Sequence, residues 1–175
     1  DHKGNLKPLK SSVEFENQLL SWGYLESPTH QSYIHLNQAI EFGIPWDHRQ
    51  NYVLDGWYGE IEKWGGIWSI DNQSKLKLPL PIQQAHALEL KMLAFVSPKK
   101  THQRVNIFLD GQLQKTVTLS QFQDNLIVIP IPQSVSKQSS VEIRFELPDA
   151  ISPKELGMGE DGRRLAIGLQ SATYH

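Results

Sequence analysis

The chain has 175 residues, 17 Lys+Arg against 19 Asp+Glu for a formal net charge of -2, and no cysteine. That length favours one domain, large enough to bury a sizeable core without a metal or a disulfide. The charge balance argues against a nucleic-acid partner, and the missing cysteines exclude disulfide frameworks, Cys-based zinc sites and thiol nucleophiles.

In chain order, residues 1–30 read as a lead or linker, helical or irregular. Ser11 to Leu20 allows one short helix with Ser12 as its cap and Phe15, Leu19 and Leu20 on one face, and Pro28 breaks it. From Tyr33 the period changes to two. Tyr33 to Phe42 reads as a strand with Ile34, Leu36, Ile40 and Phe42 on one side, ended by Gly43 and Pro45. In His86 to Val96, Leu88, Leu90, Met92, Ala94 and Val96 face one way and Glu89 and Lys91 the other. Val105, Ile107 and Leu109 alternate with polar residues, as do Leu113, Val117 and Leu119 with a break at Lys115. Asp110-Gly111 lies between those two runs and favours the positive φ angles of a type I′ hairpin turn.

Leu126 to Ile131 is a nearly continuous apolar run, which suits a strand buried on both faces or one whose period cannot be read. Pro130 and Pro132 put it at an edge or a strand end. Val141, Ile143, Phe145 and Leu147 alternate with charged residues until Pro148, and Leu165, Ile167 and Leu169 close the series. The pattern gives seven to nine strands about a dozen residues apart, without intervening helices of 3.6 period. It is all-β: an antiparallel β-sandwich of jelly-roll or carbohydrate-binding-module type over residues 31–175.

The densest chemical segment runs from Asp55 to Ser69, with three of the five Trp, four Gly and three acids in fifteen residues. Trp57, Tyr58, Trp64 and Trp68 offer faces on which a pyranose stacks, and Glu60 and Glu62 offer carboxylates that accept hydroxyl hydrogen bonds. The glycines would let backbone approach a ligand or turn sharply. The alternative is that Trp57, Trp64 and Trp68 fill the sandwich core. As a glycosidase pair, Glu60 and Glu62 would stand about 6–7 Å apart on one strand face, within the range such enzymes use. That spacing is common by chance and Lys63 stands directly beside them, so a solvated or structural role is the preferred reading.

The seven histidines are scattered and form no metal-binding spacing. There is no G-x-S-x-G elbow and no phosphate-binding Lys beside Gly157, Gly159 or Gly162. No catalytic residue, metal or cofactor is therefore assigned. Pro148 to Arg164 reads as a long loop in which Ser152 caps one turn through Leu156 and Gly157 ends it. Glu160 and Asp161 pair with Arg163 and Arg164 rather than hold calcium in this reading.

Two segments carry a family resemblance. Gly56-Trp57-Tyr58 followed by Glu62-Lys63-Trp64-Gly65-Gly66-Ile67-Trp68-Ser69 resembles the opening of a poorly characterised domain. That domain stands at the C-terminal end of bacterial membrane-anchored proteins that modify envelope polysaccharide, among them phosphoglycerol transferases of periplasmic glucans and membrane proteins related to glycosyltransferases. Its closing signature is similar to Ser152-Pro153-Lys154-Glu155-Leu156-Gly157, then Asp161, Arg163-Arg164-Leu165 and Gly168. The match runs from about Ile40 to Tyr174, with an inserted Gly66-Ile67 departing from the pattern. The resemblance implies an accessory, non-catalytic β-sandwich on the periplasmic side, cut from a longer protein with membrane spans. Its expected partners are an envelope glycan (glucan, O-antigen or capsule) and the membrane-embedded remainder of that protein. A structural domain without ligand is the main alternative, and a glycan-acting enzyme using Glu60 or Glu62 the third.

Overall fold

Leu88, Leu90, Met92 and Ala94 are fully buried while Lys91 is exposed, so the two-residue period of this segment does mark a strand with one face in a core. The structure is a computed structural model and describes residues 34–44 and 52–175. The expected lead over residues 1–30, with its helix from Ser11 to Leu20, lies outside the described residues.

Nine strands are described: β1 (Ala39–Glu41), β2 (Ile67–Trp68), β3 (Gln73–Pro79), β4 (Ala87–Ala94), β5 (Gln103–Leu109), β6 (Gln112–Leu119), β7 (Asn125–Pro130), β8 (Ser140–Glu146) and β9 (Ile167–Tyr174). Among the described residues one helical turn accompanies them, Gln133–Ser136. Pairing is antiparallel throughout and makes two sheets. One has the order β1-β9-β4-β7, with β2 also on β9; the other has the order β3-β8-β5-β6. Leu76, Leu78, Val105, Ile107, Ile143 and Phe145 of the second sheet meet Leu88, Leu90, Ile129, Leu169 and Tyr174 of the first in one apolar core. Burial of each such side chain stabilises by about 1.5–3 kcal/mol. The chain is thus an antiparallel β-sandwich, as its patterning predicts.

The expected hairpin is present. Asp110 and Gly111 have φ of 45° and 81°, and β5 pairs with β6 across them. Lys115, a break in the alternation, pairs with the buried Ile107. Its Nζ donates to the Val128 carbonyl at 2.8 Å, joining the edge strands of the two sheets. A register shift between Ile107 and Phe108 sets Leu113 opposite Phe108, and Leu113 is exposed instead of facing the core with Leu119. In β7 the apolar run resolves into alternation. Ile127, Ile129 and Ile131 are buried and Leu126 and Val128 exposed, because β7 is an edge strand whose outer face is open.

Two expectations change. The strand read from Tyr33 to Phe42 is only Ala39–Glu41 in the described part: Asn37 takes φ 61°, which ends extended structure, and its N–H donates to the Tyr174 carbonyl at 2.7 Å. Strand β3, which the patterning left unassigned, pairs with β8 over its full length and buries Leu76 and Leu78.

Candidate functional site

Trp68, Leu93, Phe95 and Leu165 alternate with the inward-facing Ile67, Met92, Ala94 and Ala166, and they form a second apolar cluster apart from the inter-sheet core. Tyr58, Trp64, Ile151 and Leu156 pack against it half-buried. The cluster lies on the outer face of the five-stranded sheet, under the turn 58–66 and the loop 148–166. The two motif segments, about ninety residues apart in sequence, therefore meet here.

The loop over this cluster folds for local reasons. Ser152 is buried and its Oγ accepts from the Glu155 N–H at 3.1 Å, while Glu155 Oε2 accepts from the Ser152 N–H at 3.0 Å. That reciprocal cap starts one turn, Leu156 N–H donating to the Ser152 carbonyl, and Gly157 at φ 66° ends it, as the sequence suggests. The Ser152 hydrogen bonds hold the Glu155 carboxyl below the usual carboxylate range.

The six candidate binding residues divide. Trp57 belongs to the inter-sheet core: it is 7% exposed, its ring meets Phe145 edge-on at 5.8 Å, and its Nε1 donates to the Lys75 carbonyl at 2.9 Å. Trp68 is 6% exposed, between Trp64 at 5.1 Å and Phe95 at 6.3 Å between ring centroids. Trp57 thus takes the place in the sandwich core that the sequence left open, while Trp68 is buried in the outer cluster, and bridges fix the backbone at both residues. Neither presents a ring face for stacking. Trp64 is different. It is half-buried, and its Nε1 has no hydrogen-bond partner.

Two glycines make room for that indole. A Cβ on Gly168 would stand 2.6 Å from Trp64 Cη2, and one on Gly66 would stand 2.2 Å from Trp64 Cζ3 and from the Leu169 carbonyl oxygen. Of the glycines in the Asp55–Ser69 segment, Gly66 thus admits the ring of Trp64, and Gly56 and Gly65, at φ of 85° and 88°, take the turning role the sequence also allowed.

Tyr58, Glu62 and two residues of the closing motif form a charged group beside Trp64. The Arg163 guanidinium lies 4.4 Å above the Tyr58 ring, reaches Glu62 Oε1 at 2.8 Å, and grips both oxygens of Asp161, the shortest contact being 2.7 Å. Asp161 is held below the usual carboxylate range by its hydrogen bonds with Arg163, and Arg163 is raised by the same pairing. Glu60 is exposed in the adjoining turn. Glu62 thus pairs with a cation instead of standing opposite Glu60 as an acid/base couple. Glu160 pairs with Lys154 at 3.5 Å. Among the described residues no group of three His, Asp or Glu gathers to hold a metal ion.

Beyond the loop, on its other side, lies a cleft of about 430 Å³ that the sequence did not announce. Lys99, Lys100 and His102 line it from the β4–β5 connection; Asp149, Ile151 and Leu156 line it from the loop. Lys100 is half-buried. Its Nζ donates to the Phe95 carbonyl at 2.8 Å and to the side-chain oxygen of the fully buried Gln103. Desolvation lowers the Lys100 ammonium to about 8, against a smaller opposing pull from Asp149. Asp149 itself is engaged by Arg104 through both oxygens, at 2.7 and 2.9 Å, and drops to about 2. Its one local mark in the sequence is the basic pair Lys99-Lys100.

No family model and no curated protein sequence matches this chain. Among solved structures, it is similar to a carbohydrate-binding module CBM36 in complex with calcium and xylotriose, at 10% identity over 79% of this chain and 99% of that one, TM-score 0.48. It is similar to the CBM36-1 domain of a multidomain xylanase from the hindgut metagenome of Trinervitermes trinervoides, at 8% identity over 79% and 95%, TM-score 0.49. A family 6 carbohydrate-binding module from Clostridium cellulolyticum, in complex with xylose, matches at 13% identity over 79% and 96%, TM-score 0.42. These are likenesses of outline; the two-sheet architecture rests on the strand pairing itself.

Proposed function

We propose that this chain is a non-catalytic glycan-binding accessory domain, and that Trp64, Tyr58, Glu60 and Glu62 meet the sugar together with Asp161 and Arg163. The observation that carries this reading is the meeting of the two motif segments on the outer face of the five-stranded sheet. There a half-buried Trp64 adjoins a fixed group of carboxylates and a guanidinium. Aromatic surface with a few convergent polar groups is the chemistry that takes a hydroxyl-rich ring. All three guanidinium nitrogens already hold Glu62 or Asp161, so the group is pre-ordered, and the N–H donors left on its two terminal nitrogens suit sugar hydroxyls.

The same proposal extends to context. The motif resemblance supports a place on the periplasmic side of a bacterial membrane, as the accessory part of a membrane-anchored protein that modifies envelope polysaccharide. A second reading, a structural domain without ligand, is favoured by the burial of Trp57 and Trp68. Tryptophan fluorescence separates the two. Titration with periplasmic glucan fragments, O-antigen and capsule oligosaccharides is expected to give a saturable change that a folded Trp64→Ala protein lacks. A flat response across the panel up to millimolar sugar would give the structural reading the lead.

A further inference from the structure

The cleft on the far side of the loop differs from the Trp64 surface in its charge. In a chain whose formal net charge is -2, its walls bring together Lys99 and Lys100, with His102 beside them. The one carboxylate that lines it, Asp149, is already committed to Arg104 by a two-point pair and accepts from the Arg104 backbone N–H at 2.8 Å as well. Lys100 makes no ion pair with any described carboxylate; its ammonium is held by a carbonyl and an amide oxygen, both neutral. Gln103 is fixed in turn, since its Nε2 donates to the Arg104 carbonyl at 2.8 Å. Asp149 offsets only part of the cost of desolvating this half-buried cation, and the lowered affinity of Lys100 for a proton is the sign of what remains. Yet the side chain is anchored in place rather than extended into water. Ile151 and Leu156 supply an apolar wall next to it. The volume of about 430 Å³ lies within the roughly 300–1,000 Å³ common for small-molecule sites.

We propose that this cleft binds the oxyanion of an acidic sugar residue, with Lys100 as its central contact, Lys99 and His102 at the rim, and the ring against Ile151 and Leu156. The anion completes the charge balance that Asp149 cannot, and charge-assisted hydrogen bonds to an anchored ammonium are among the stronger polar contacts available. This assignment rests on the glycan-binding reading, because it takes the saccharide as the carrier of the charge. A uronate and a sugar phosphate share the chemistry required.

Calorimetric titration of the full chain tests it, using a uronic-acid oligosaccharide, a sugar phosphate, their neutral counterpart and inorganic phosphate. The expected result is about tenfold tighter binding of one charged sugar than of the neutral one. Lys100→Met should abolish that preference, while Trp64→Ala should remove the neutral-sugar component. The rim variant Lys99→Gln/His102→Gln, which gives up the Lys99 hydrogen bond to the Leu156 carbonyl at 2.8 Å but no fully buried side chain, should weaken the preference and keeps the test open if Lys100→Met does not fold. Which charged sugar binds identifies the oxyanion. A neutral sugar that binds through Trp64 without any preference for its charged counterpart overturns this inference and leaves the glycan-binding reading standing. Binding of neither sugar sinks both. Inorganic phosphate binding as tightly as the charged sugar overturns the sugar as carrier.

Discussion

Trp57 and Trp64 stand seven residues apart and serve opposite sides of one sheet sandwich. Trp57 lies between the sheets, with Phe145 against its ring and its N–H spent on the Lys75 carbonyl. Trp64 lies outside, in a slot cut by Gly66 and Gly168, with its N–H unspent. Both environments are apolar, but only the outer one borders charged groups that a ligand can reach. The contrast shows that aromatic richness in a segment does not make a binding site. What distinguishes the two residues is their setting: Trp57 is enclosed between the sheets, while Trp64 keeps part of its surface open near the Glu62–Arg163–Asp161 group.

The largest expected effect falls on the inner residue. Trp57→Ala should cost about 3–5 kcal/mol in chemical denaturation, through the cavity it leaves in the inter-sheet core. A loss below about 1 kcal/mol would erase the contrast, since that is the range of a surface position. Next comes Gly168→Ala, whose new methyl would collide with Trp64 Cη2. It should cost about 1–3 kcal/mol by overpacking and should weaken sugar binding by displacing the indole. Most of that cost should vanish in the Trp64→Ala background; an additive double mutant would show that the slot is not specific to Trp64.

Arg163→Gln releases Glu62 and Asp161 and should destabilise by about 1 kcal/mol, less at high salt, since all three side chains are about a quarter to a third exposed. A sugar affinity unchanged in that variant would separate the charged group from the binding surface. The smallest effect is on pH dependence. Asp149 is lowered to about 2, so its pairing adds stability above its ordinary value that fades as pH falls toward 2. Lys100 gives a slope of the same sign in a higher window and for a different reason: desolvation lowers its pKa to about 8, so stability should rise as pH climbs from about 8 toward its ordinary 10.5. Parallel pH titrations of wild type, Asp149→Asn and Lys100→Met check both slopes.

The legible parts of the fold were those set by near neighbours. Asp110-Gly111 needs only its own φ angles to make a hairpin, and Leu88 to Ala94 needs only period two. The capped turn at Ser152 also follows from residues three and five apart. Strand β3 was less visible because its alternation holds only two leucines, with Ser74 as the third buried residue, before the prolines begin. The division of the tryptophans was out of reach, because the slot for Trp64 is cut by Gly168, about a hundred residues further along the chain. The Lys100 cleft was hidden for the same reason: Asp149, Ile151 and Leu156 reach it from another part of the chain, and nothing local announces them.

Fluorine NMR of the chain labelled with 5-fluorotryptophan tests the two-tryptophan account most directly, with resonances assigned by Trp57→Phe and Trp64→Phe. On titration with an envelope oligosaccharide, the account predicts a saturable shift of the Trp64 resonance while that of Trp57 stays in place. A Trp57 resonance that moves in its stead, or no movement of either up to millimolar sugar, would contradict it.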